Sequence, residues 1–263
     1  MQLNDKVVIV TGGGHGIGQA LCQRFAQEHP RGLIVADLDA AAAETVARDV
    51  SGIAIAGDVC DETHIRHLVQ VAEERWGSVD LFCSNAGGTI KGGVETPDAD
   101  WQRLWELHVV SHVYAARAAL PGMLARGQGY FLQTSSAAGL LSEIGSAAYS
   151  VTKHATIAFA EWLSINHRRS GIRVSCLCPS GVKTDMLDLN DPIHQFLQSH
   201  ALTAADVAEC VIAGLAEERF LILPHPEVHG FFAGKTDDYD RWLHQFSRLK
   251  EKWDRPRKPR PAA

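Results

Sequence analysis

Tyr149 and Lys153 are the two residues whose types and spacing most directly suggest chemistry in this chain of 263 residues. They are four positions apart in "YSVTK", within a segment expected to be helical, so their side chains share one helical face. A free tyrosine has a pKa of about 10, and a nearby lysine ammonium favours its phenolate. Tyr149 is therefore a candidate general acid/base for the hydroxyl of an alcohol. The spacing alone is a weak signal, because such pairs are frequent on exposed helices.

Strands and helices alternate along the chain and would position this pair. Continuously apolar runs predict strands at 6–12, 32–37, 53–58, 79–85, 129–136, 172–179 and 219–223. Helices are expected at 16–29, 40–50, 61–76, 96–124, 147–169 and 203–218. Strands that are apolar throughout are typical of a parallel sheet with helices on both faces. We predict an α/β fold with a three-layer, doubly wound parallel sheet in one domain, residues 1–253, followed by a disordered basic tail, residues 254–263.

A glycine loop, "TGGGHGIG" at 11–18, follows the first strand and opens a helix. Glycines there let the backbone approach a pyrophosphate, which would lie at the positive helix N-terminus. Asp37 ends the second strand about twenty residues further on, the position from which an acid binds the adenosine ribose. Its charge would repel a 2′-phosphate, so the sequence favours NAD over NADP. The alternative is that Asp37 only caps the next helix.

These motifs, in this order, resemble the short-chain dehydrogenases/reductases, in their compact one-domain branch. The resemblance covers residues 3–225 and implies the NAD(P)-binding Rossmann fold. The motifs that carry it are "TGGGHGIG" at 11–18, "GDV" at 57–59, "NAGG" at 85–88, "SS" at 135–136, "YSVTK" at 149–153 and "PSGVKT" at 179–184. Where the family usually has Gly after the proline, this chain has Ser180 with Gly181 one place later, and we expect a modest local adjustment.

The resemblance also implies which residues bind the cofactor. They are the loop residues Gly12, Gly14, His15, Gly16, Ile17 and Gly18; Asp37 at the ribose; Asp58 and Val59 at the adenine; Asn85, Ala86 and Gly87 along the adenosine; Tyr149 and Lys153 at the nicotinamide ribose; and Pro179, Val182 and Thr184 at the nicotinamide.

Ser136, Tyr149 and Lys153 form the catalytic set that the resemblance implies. Ser136 lies thirteen residues before Tyr149 and would hydrogen-bond the substrate oxygen. Lys153, with the positive nicotinamide of bound NAD⁺, would lower the pKa of Tyr149. A drop from about 10 to about 7 corresponds to about 4 kcal/mol.

His108 occupies the position where the family normally has a fourth catalytic residue, an asparagine that helps bind a water in a proton relay. A histidine donates and accepts hydrogen bonds and titrates near neutrality, so we hypothesise that His108 keeps the relay working. The alternative is a relay through the backbone carbonyl, which would tolerate many side chains. His108 and His112 share the spacing of a helical metal pair, but no third ligand is evident, so no metal is expected.

The substrate end should be formed by residues 88–95, 137–145 and a loop with a short helix at 183–202, which is a candidate lid with an apolar underside. Apart from Lys91 and Lys183, no Lys or Arg flanks it, which argues against a phosphorylated or CoA-linked substrate. Residues 231–253 are predicted to form one amphipathic helix, typical of a core or subunit contact.

The net charge of −6 gives no electrostatic reason to bind nucleic acid, and no apolar run approaches the roughly 20 residues of a membrane span. No signal peptide is evident, and the six scattered cysteines fit free thiols in a reducing cytoplasm. The resemblance implies a homo-oligomer, either a tetramer or a dimer.

We therefore expect an NAD-dependent oxidoreductase that oxidises a secondary alcohol or reduces the matching ketone. An NADPH-dependent ketoacyl reductase is one alternative, which Asp37 argues against. A nucleotide-binding regulator without catalysis is another, suggested by His108 and Ser180 and opposed by the intact catalytic set. The sequence does not identify the substrate.

Overall fold

A single parallel sheet of seven strands forms the centre of the computed structural model, which describes residues 1–187 and 191–254. The strand order is β3-β2-β1-β4-β5-β6-β7. The strands are β1 (Val7–Thr11), β2 (Gly32–Asp37), β3 (Ile53–Ala56), β4 (Leu81–Ser84), β5 (Gly129–Thr134), β6 (Ile172–Leu177) and β7 (Leu221–Ile222). All seven predicted strands are present, and the predicted fold class is confirmed.

Helices cover both faces of the sheet. They are α1 (Gly16–Ala26), α2 (Ala40–Asp49), α3 (Glu62–Trp76), α4 (Asp98–Trp105), α5 (Ser111–Arg126), α6 (Ala138–Leu141), α7 (Ala147–His167), α8 (Pro192–Gln198), α9 (Ala204–Ala216), α10 (Pro226–Asp237) and α11 (Tyr239–Asp254). One face packs against α3, α5 and α7. The other packs against α1, α2 and α9. Successive side chains of β1 alternate between the two faces of the sheet, as the pleat requires. Val7 and Ile9 pack on the first face, and Val8 and Val10 pack on the second.

The strand order reverses between β1 and β4. On one side of this point the chain runs from β1 to β2 and β3, and on the other from β4 to β7. In open sheets of this kind, ligands bind in the crevice beyond the carboxyl ends of the strands at the reversal point. Thr11, Ser84 and Thr134 end β1, β4 and β5 at that edge.

The helical segment predicted at 96–124 contains an irregularity that the sequence did not indicate. A π-helical turn, Glu106–Val110, separates α4 from α5 and contains His108. Such turns inside helices are frequently found at functional sites, because the extra residue per turn redirects side chains and carbonyls.

The C-terminal region also differs from its prediction. Residues 231–253 do not form one helix: the chain turns at Asp238, which has extended backbone angles and ends α10. Of the predicted tail, Asp254 still belongs to α11, and residues 255–263 lie outside the described residues. Within the described ranges, no helix combines the length and apolar character that a membrane span requires.

Candidate active site

The glycine loop between β1 and α1 packs so closely that larger residues would not fit. A Cβ on Gly18 would lie 1.9 Å from the carbonyl oxygen of Gly12, and a Cβ on Gly12 would lie 2.8 Å from Cα of Ala86. The N-cap of α1, His15, makes no side-chain hydrogen bond to the helix, and the first turn of α1 contains no acidic residue. The N-terminal amides of α1 are thus free of side-chain caps, as a site for a pyrophosphate requires.

Asp37 is held against this loop by backbone hydrogen bonds. Its Oδ2 accepts from the amide of Gly14 at 2.9 Å, and its Oδ1 accepts from the amide of Asp39 at 3.0 Å. Asp39 caps α2 and lies 3.3 Å from the imidazole Nε2 of His15. The carboxylates of Asp37 and Asp39 therefore both lie beside the glycine loop. The exposed imidazole of His15 is the partner of Asp39.

Polar side chains connect the carboxyl ends of three strands. The Thr11 hydroxyl accepts the amide hydrogen of Asn85 at 3.0 Å, and the Asn85 side-chain amide donates to the Thr11 carbonyl at 3.1 Å. The Thr134 hydroxyl donates to Oδ1 of Asn85 at 3.2 Å. The Thr134 carbonyl in turn accepts from the Lys153 ammonium at 3.0 Å. The strand ends and α7 thus form one network.

Ser136, Tyr149 and Lys153 come together at this edge. Lys153 Nζ lies 5.7 Å from the centre of the Tyr149 ring, and Tyr149 and Lys153 are both buried. The Ser136 hydroxyl lies within hydrogen-bonding reach of Tyr149, where it lowers the pKa of the phenol. Gly87 joins this group to the nucleotide side, because a Cβ there would lie 3.6 Å from Lys153 Nζ.

Burial opposes charge on both members of the predicted proton-transfer pair. It raises the pKa of Tyr149 to about 12, with a smaller contribution from the nearby carboxylate of Glu143. It lowers the pKa of Lys153 to about 8. Without the cofactor, desolvation thus holds the pKa of Tyr149 above its ordinary value. The decrease expected from Lys153 together with bound NAD⁺ stays a prediction. The proton stays on the phenol at neutral pH unless a further positive charge is added.

His108 is fully buried in the π-helical turn, and both ring nitrogens have partners. Nε2 lies 3.2 Å from the amide nitrogen of Gly88, which can only donate, so Nε2 is the acceptor. Nδ1 therefore carries the proton and donates to the Thr152 hydroxyl at 2.9 Å. The ring also packs edge-on against Tyr149, with centres 5.5 Å apart. The carbonyl oxygen of His108 accepts from the Thr156 hydroxyl at 2.8 Å.

The expectation that His108 titrates near neutrality is wrong. Burial, with the charge of Lys153 as a second cause, holds the pKa of His108 far below its usual range, so the ring stays neutral. His112 is also buried, and burial lowers its pKa to about 3. Across residues 1–187 and 191–254, no three His, Cys, Asp or Glu side chains gather in a way that could hold a metal ion.

The segment predicted to border the nicotinamide runs past the glycine loop. A Cβ on Gly16 would lie 3.1 Å from Cγ2 of Thr184, while Pro179 and Val182 are buried. At the predicted adenine end, Val59 is buried and Asp58 is exposed, with Asp58 Oδ1 accepting from the amide of Cys60 at 2.9 Å.

A family model described as short chain dehydrogenase matches residues 6–192. The chain belongs to this family. Its fold and the order of its motifs along the sheet edge agree with that membership, and the resemblance stated from the sequence is confirmed.

Curated relatives and a solved structure are similar over most of the chain. 1-deoxy-11-beta-hydroxypentalenate dehydrogenase from Streptomyces exfoliatus is 32% identical over 255 residues, 93% of this chain and 91% of the relative. Meso-2,3-butanediol dehydrogenase from Serratia marcescens is 32% identical over 190 residues, 71% of this chain and 75% of the relative. A short chain dehydrogenase/reductase from Burkholderia phymatum, solved in complex with NAD, has a TM-score of 0.82 at 26% identity, covering 100% of both chains.

His225 supports the departure from the usual family pattern at Ser180, and sequence reasoning missed it. Its Nδ1 accepts the amide hydrogen of Ser180 at 3.1 Å, and its Nε2 donates to the carbonyl of Gly181 at 3.0 Å. This buried imidazole holds Ser180 and Gly181, the two residues that follow Pro179. Thr134 and Thr152 were also missed. Their adjacency to "SS" and to Lys153 was the only signal in the sequence.

We predict that His108→Ala lowers the free energy of unfolding by about 2 kcal/mol, because it leaves the partly buried amide of Gly88 without an acceptor and opens a cavity at a fully buried position. His108→Asn should cost less, since an amide can still accept and donate. Urea unfolding would measure this, with the exposed His67→Ala as control. Equal stability of the two alanine variants would contradict the assigned contacts.

The same variants test the neutral state of the ring. A group whose folded pKa is depressed from about 6.5 contributes stability that is present above that pH and lost as the pH falls. The unfolding free energy of the wild type should therefore decrease below about pH 6.5, at up to roughly 1.4 kcal/mol per pH unit for each such histidine. In His108→Asn the slope should be shallower.

Proposed function

We propose that this protein is an NAD(H)-dependent oxidoreductase that interconverts a secondary alcohol and its ketone. The observation that carries the proposal is the meeting of Ser136, Tyr149 and Lys153 at the carboxyl edge of the sheet, beside a glycine loop that fits a dinucleotide. The names of two relatives, a hydroxypentalenate dehydrogenase and a butanediol dehydrogenase, support oxidation at a hydroxyl-bearing carbon.

Each catalytic side chain has a defined role in this proposal. The Ser136 hydroxyl binds and orients the substrate oxygen. Tyr149 takes the hydroxyl proton during oxidation and returns it during reduction. Lys153 positions the nicotinamide ribose and adds positive charge beside the phenol. Bound NAD⁺ would supply the hydride acceptor and a second positive charge. Tyr149 would need that charge because its pKa, raised chiefly by burial, is about 12 without it.

NAD is favoured over NADP because of the charges beside the loop. Asp37 is fixed by the amides of Gly14 and Asp39, so its carboxylate cannot turn away from an added phosphate without losing both hydrogen bonds. Asp39 adds a second negative charge nearby. The structural neighbour from Burkholderia phymatum was solved with NAD, which is consistent with this choice.

We propose that His108 acts as a positioning residue and does not transfer protons through its ring. Its neutral imidazole joins the amide of Gly88, on the cofactor side, to the hydroxyl of Thr152, beside Lys153 on α7. A relay passing this point would use backbone carbonyls and water, which is the alternative that the sequence left open.

We further propose one domain over residues 1–253 that assembles as a dimer or tetramer in the cytoplasm. Trp242 of α11 belongs to the main core, which supports a single domain. Val151, Trp162 and Ile165 lie on one face of α7 and are 49%, 55% and 79% exposed, an apolar surface of the kind that subunits cover.

Turnover tests the proposal directly. NAD⁺ and NADP⁺ would be offered separately with a panel of cyclic, aromatic and aliphatic secondary alcohols, and NADH or NADPH formation followed by absorbance. We expect turnover with NAD⁺ that falls by about 10²- to 10⁴-fold in Tyr149→Phe, because the proton acceptor is removed. Tyr114→Phe, on α5, is the matched control and should retain activity. Retained NAD⁺ binding without turnover would contradict the proposal and favour a silent nucleotide-binding protein.

Asp37→Asn tests the choice of cofactor without requiring turnover. The amide keeps an oxygen for the amide of Gly14 and loses the negative charge, so the affinity ratio of NADH to NADPH should fall by about tenfold or more. Fluorescence titration of both nucleotides measures the ratio, with Asp49→Asn on α2 as the control. An unchanged ratio in Asp37→Asn would show that this carboxylate does not select the cofactor.

A further inference from the structure

Four side chains at the substrate end form a polar cluster that the proposed chemistry does not use. Lys91 Nζ lies 2.6 Å from Oε1 of Glu143, 3.1 Å from Oδ2 of Asp191 and 2.9 Å from Nε2 of His194. The three partners are largely buried: the carboxylate side chains are 14% and 16% exposed, and His194 is 6% exposed. We call these four residues the lysine tie.

The lysine tie leaves no hydrogen of the Lys91 ammonium for an anionic ligand. An ammonium group has three hydrogens to donate and no acceptor, so Nε2 of His194 is the acceptor in its contact with Lys91. Glu143, Asp191 and His194 together take all three hydrogens of Lys91. One cation against two carboxylates also leaves the cluster negative, which disfavours a second anion.

Two members of the tie are fixed to the helix that carries Tyr149. The amide of Ala147, in the first turn of α7, donates to the carbonyl of Gly92 at 2.9 Å, next to Lys91. The amide of Glu143 donates to the hydroxyl of Ser150 at 2.7 Å. The backbone at Lys91 and Glu143 is therefore held beside the start of α7, the helix that carries Tyr149.

The other two members lie at the start of α8. Asp191 directly precedes the helix, and His194 is its third residue. The amide of His194 donates to Oδ1 of Asp191 at 3.3 Å, so these two residues move as a unit at the start of α8. The far end of α8 packs on the segment that borders the nicotinamide. A Cβ on Gly181 would lie 3.0 Å from the carbonyl of Leu197, and the Leu202 amide donates to the Gly181 carbonyl at 3.2 Å.

α8 is thus held at both ends, by backbone contacts to Gly181 at one end and by the lysine tie at the other. Isolated exposed ion pairs contribute little, but here one lysine separates two carboxylates that are mostly withdrawn from water. Without Lys91, Glu143 and Asp191 would face each other as like charges. The start of α8 would then be pushed away from α7.

We propose that the lysine tie docks α8 across the substrate end of the cleft and keeps the Lys91 ammonium from binding a substrate anion, so that the site favours uncharged alcohols and ketones. The substrate half of this inference rests on the proposed function. The docking half does not, because it concerns only contacts within the chain.

Hydrogen–deuterium exchange of the full-length protein tests the docking. In Lys91→Met, the amides of residues 193–198 should exchange about tenfold faster or more, with α7 unchanged, because one anchor of α8 is lost. Asp191→Asn should also speed exchange of the α8 amides, because it removes a carboxylate charge that binds Lys91. Lys91→Arg, which keeps the positive charge, should retain the protection of the wild type. Arg66→Met, which breaks an exposed ion pair with Glu62 on α3, is the control. Equal exchange of α8 in Lys91→Met, Asp191→Asn and the control would overturn the docking.

A matched substrate pair tests the charge preference. Methyl 3-hydroxybutanoate and 3-hydroxybutanoate share a secondary alcohol and differ by the carboxylate charge. We expect kcat/KM for the ester to exceed that for the acid by about tenfold or more. For the ester, Lys91→Met should raise KM more than it lowers kcat. Equal or better turnover of the acid would overturn the substrate half. No turnover of either compound would contradict the proposed function together with the substrate half, while the exchange rates still decide the docking.

Discussion

The arrangement of this site depends on one buried cation, the ammonium of Lys153, and on the carbonyl of Thr134 that accepts from it at 3.0 Å. A buried charge without hydrogen-bond partners costs several kcal/mol, so α7 can occupy this position only if a strand end supplies an acceptor. Thr134 ends β5, and its hydroxyl reaches Asn85 after β4, which in turn binds Thr11 at the end of β1. The lysine, the strand ends and the glycine loop are therefore parts of one hydrogen-bonded unit.

This unit keeps the side chains of Tyr149 and His108 neutral where chemistry is expected, with the Lys153 ammonium as its cation. Burial raises the pKa of Tyr149, lowers that of Lys153 and keeps His108 uncharged. In a site shielded from water in this way, an added charge interacts more strongly with the neighbouring groups than it would in water. In this account, the positive charge that turns Tyr149 into a base comes mainly from the bound cofactor, and the base is available only when the hydride acceptor is present.

Much of this arrangement could be predicted from the sequence, because it depends on local patterns. Apolar runs predicted the seven strands, and the glycines after β1 predicted a tight turn, where Gly12 and Gly18 leave no room for a Cβ. The spacing of Tyr149 and Lys153 placed both on one face of α7. What the sequence did not indicate depends on contacts between distant segments. The partners of His108 lie 20 and 44 residues away, and His225 binds a loop 44 and 45 residues earlier. The direction of the Tyr149 pKa also depended on burial, which no residue spacing reveals.

Spectroscopic titration of Tyr149 tests the central claim most directly. The tyrosinate absorbance would be followed against pH with and without saturating NAD⁺, and the Tyr149→Phe curves subtracted to isolate this residue among the four tyrosines. The account predicts no Tyr149 transition below about pH 10 in the free protein, since its pKa lies near 12, and a transition at distinctly lower pH with NAD⁺ bound. Superimposable curves with and without NAD⁺ would contradict it.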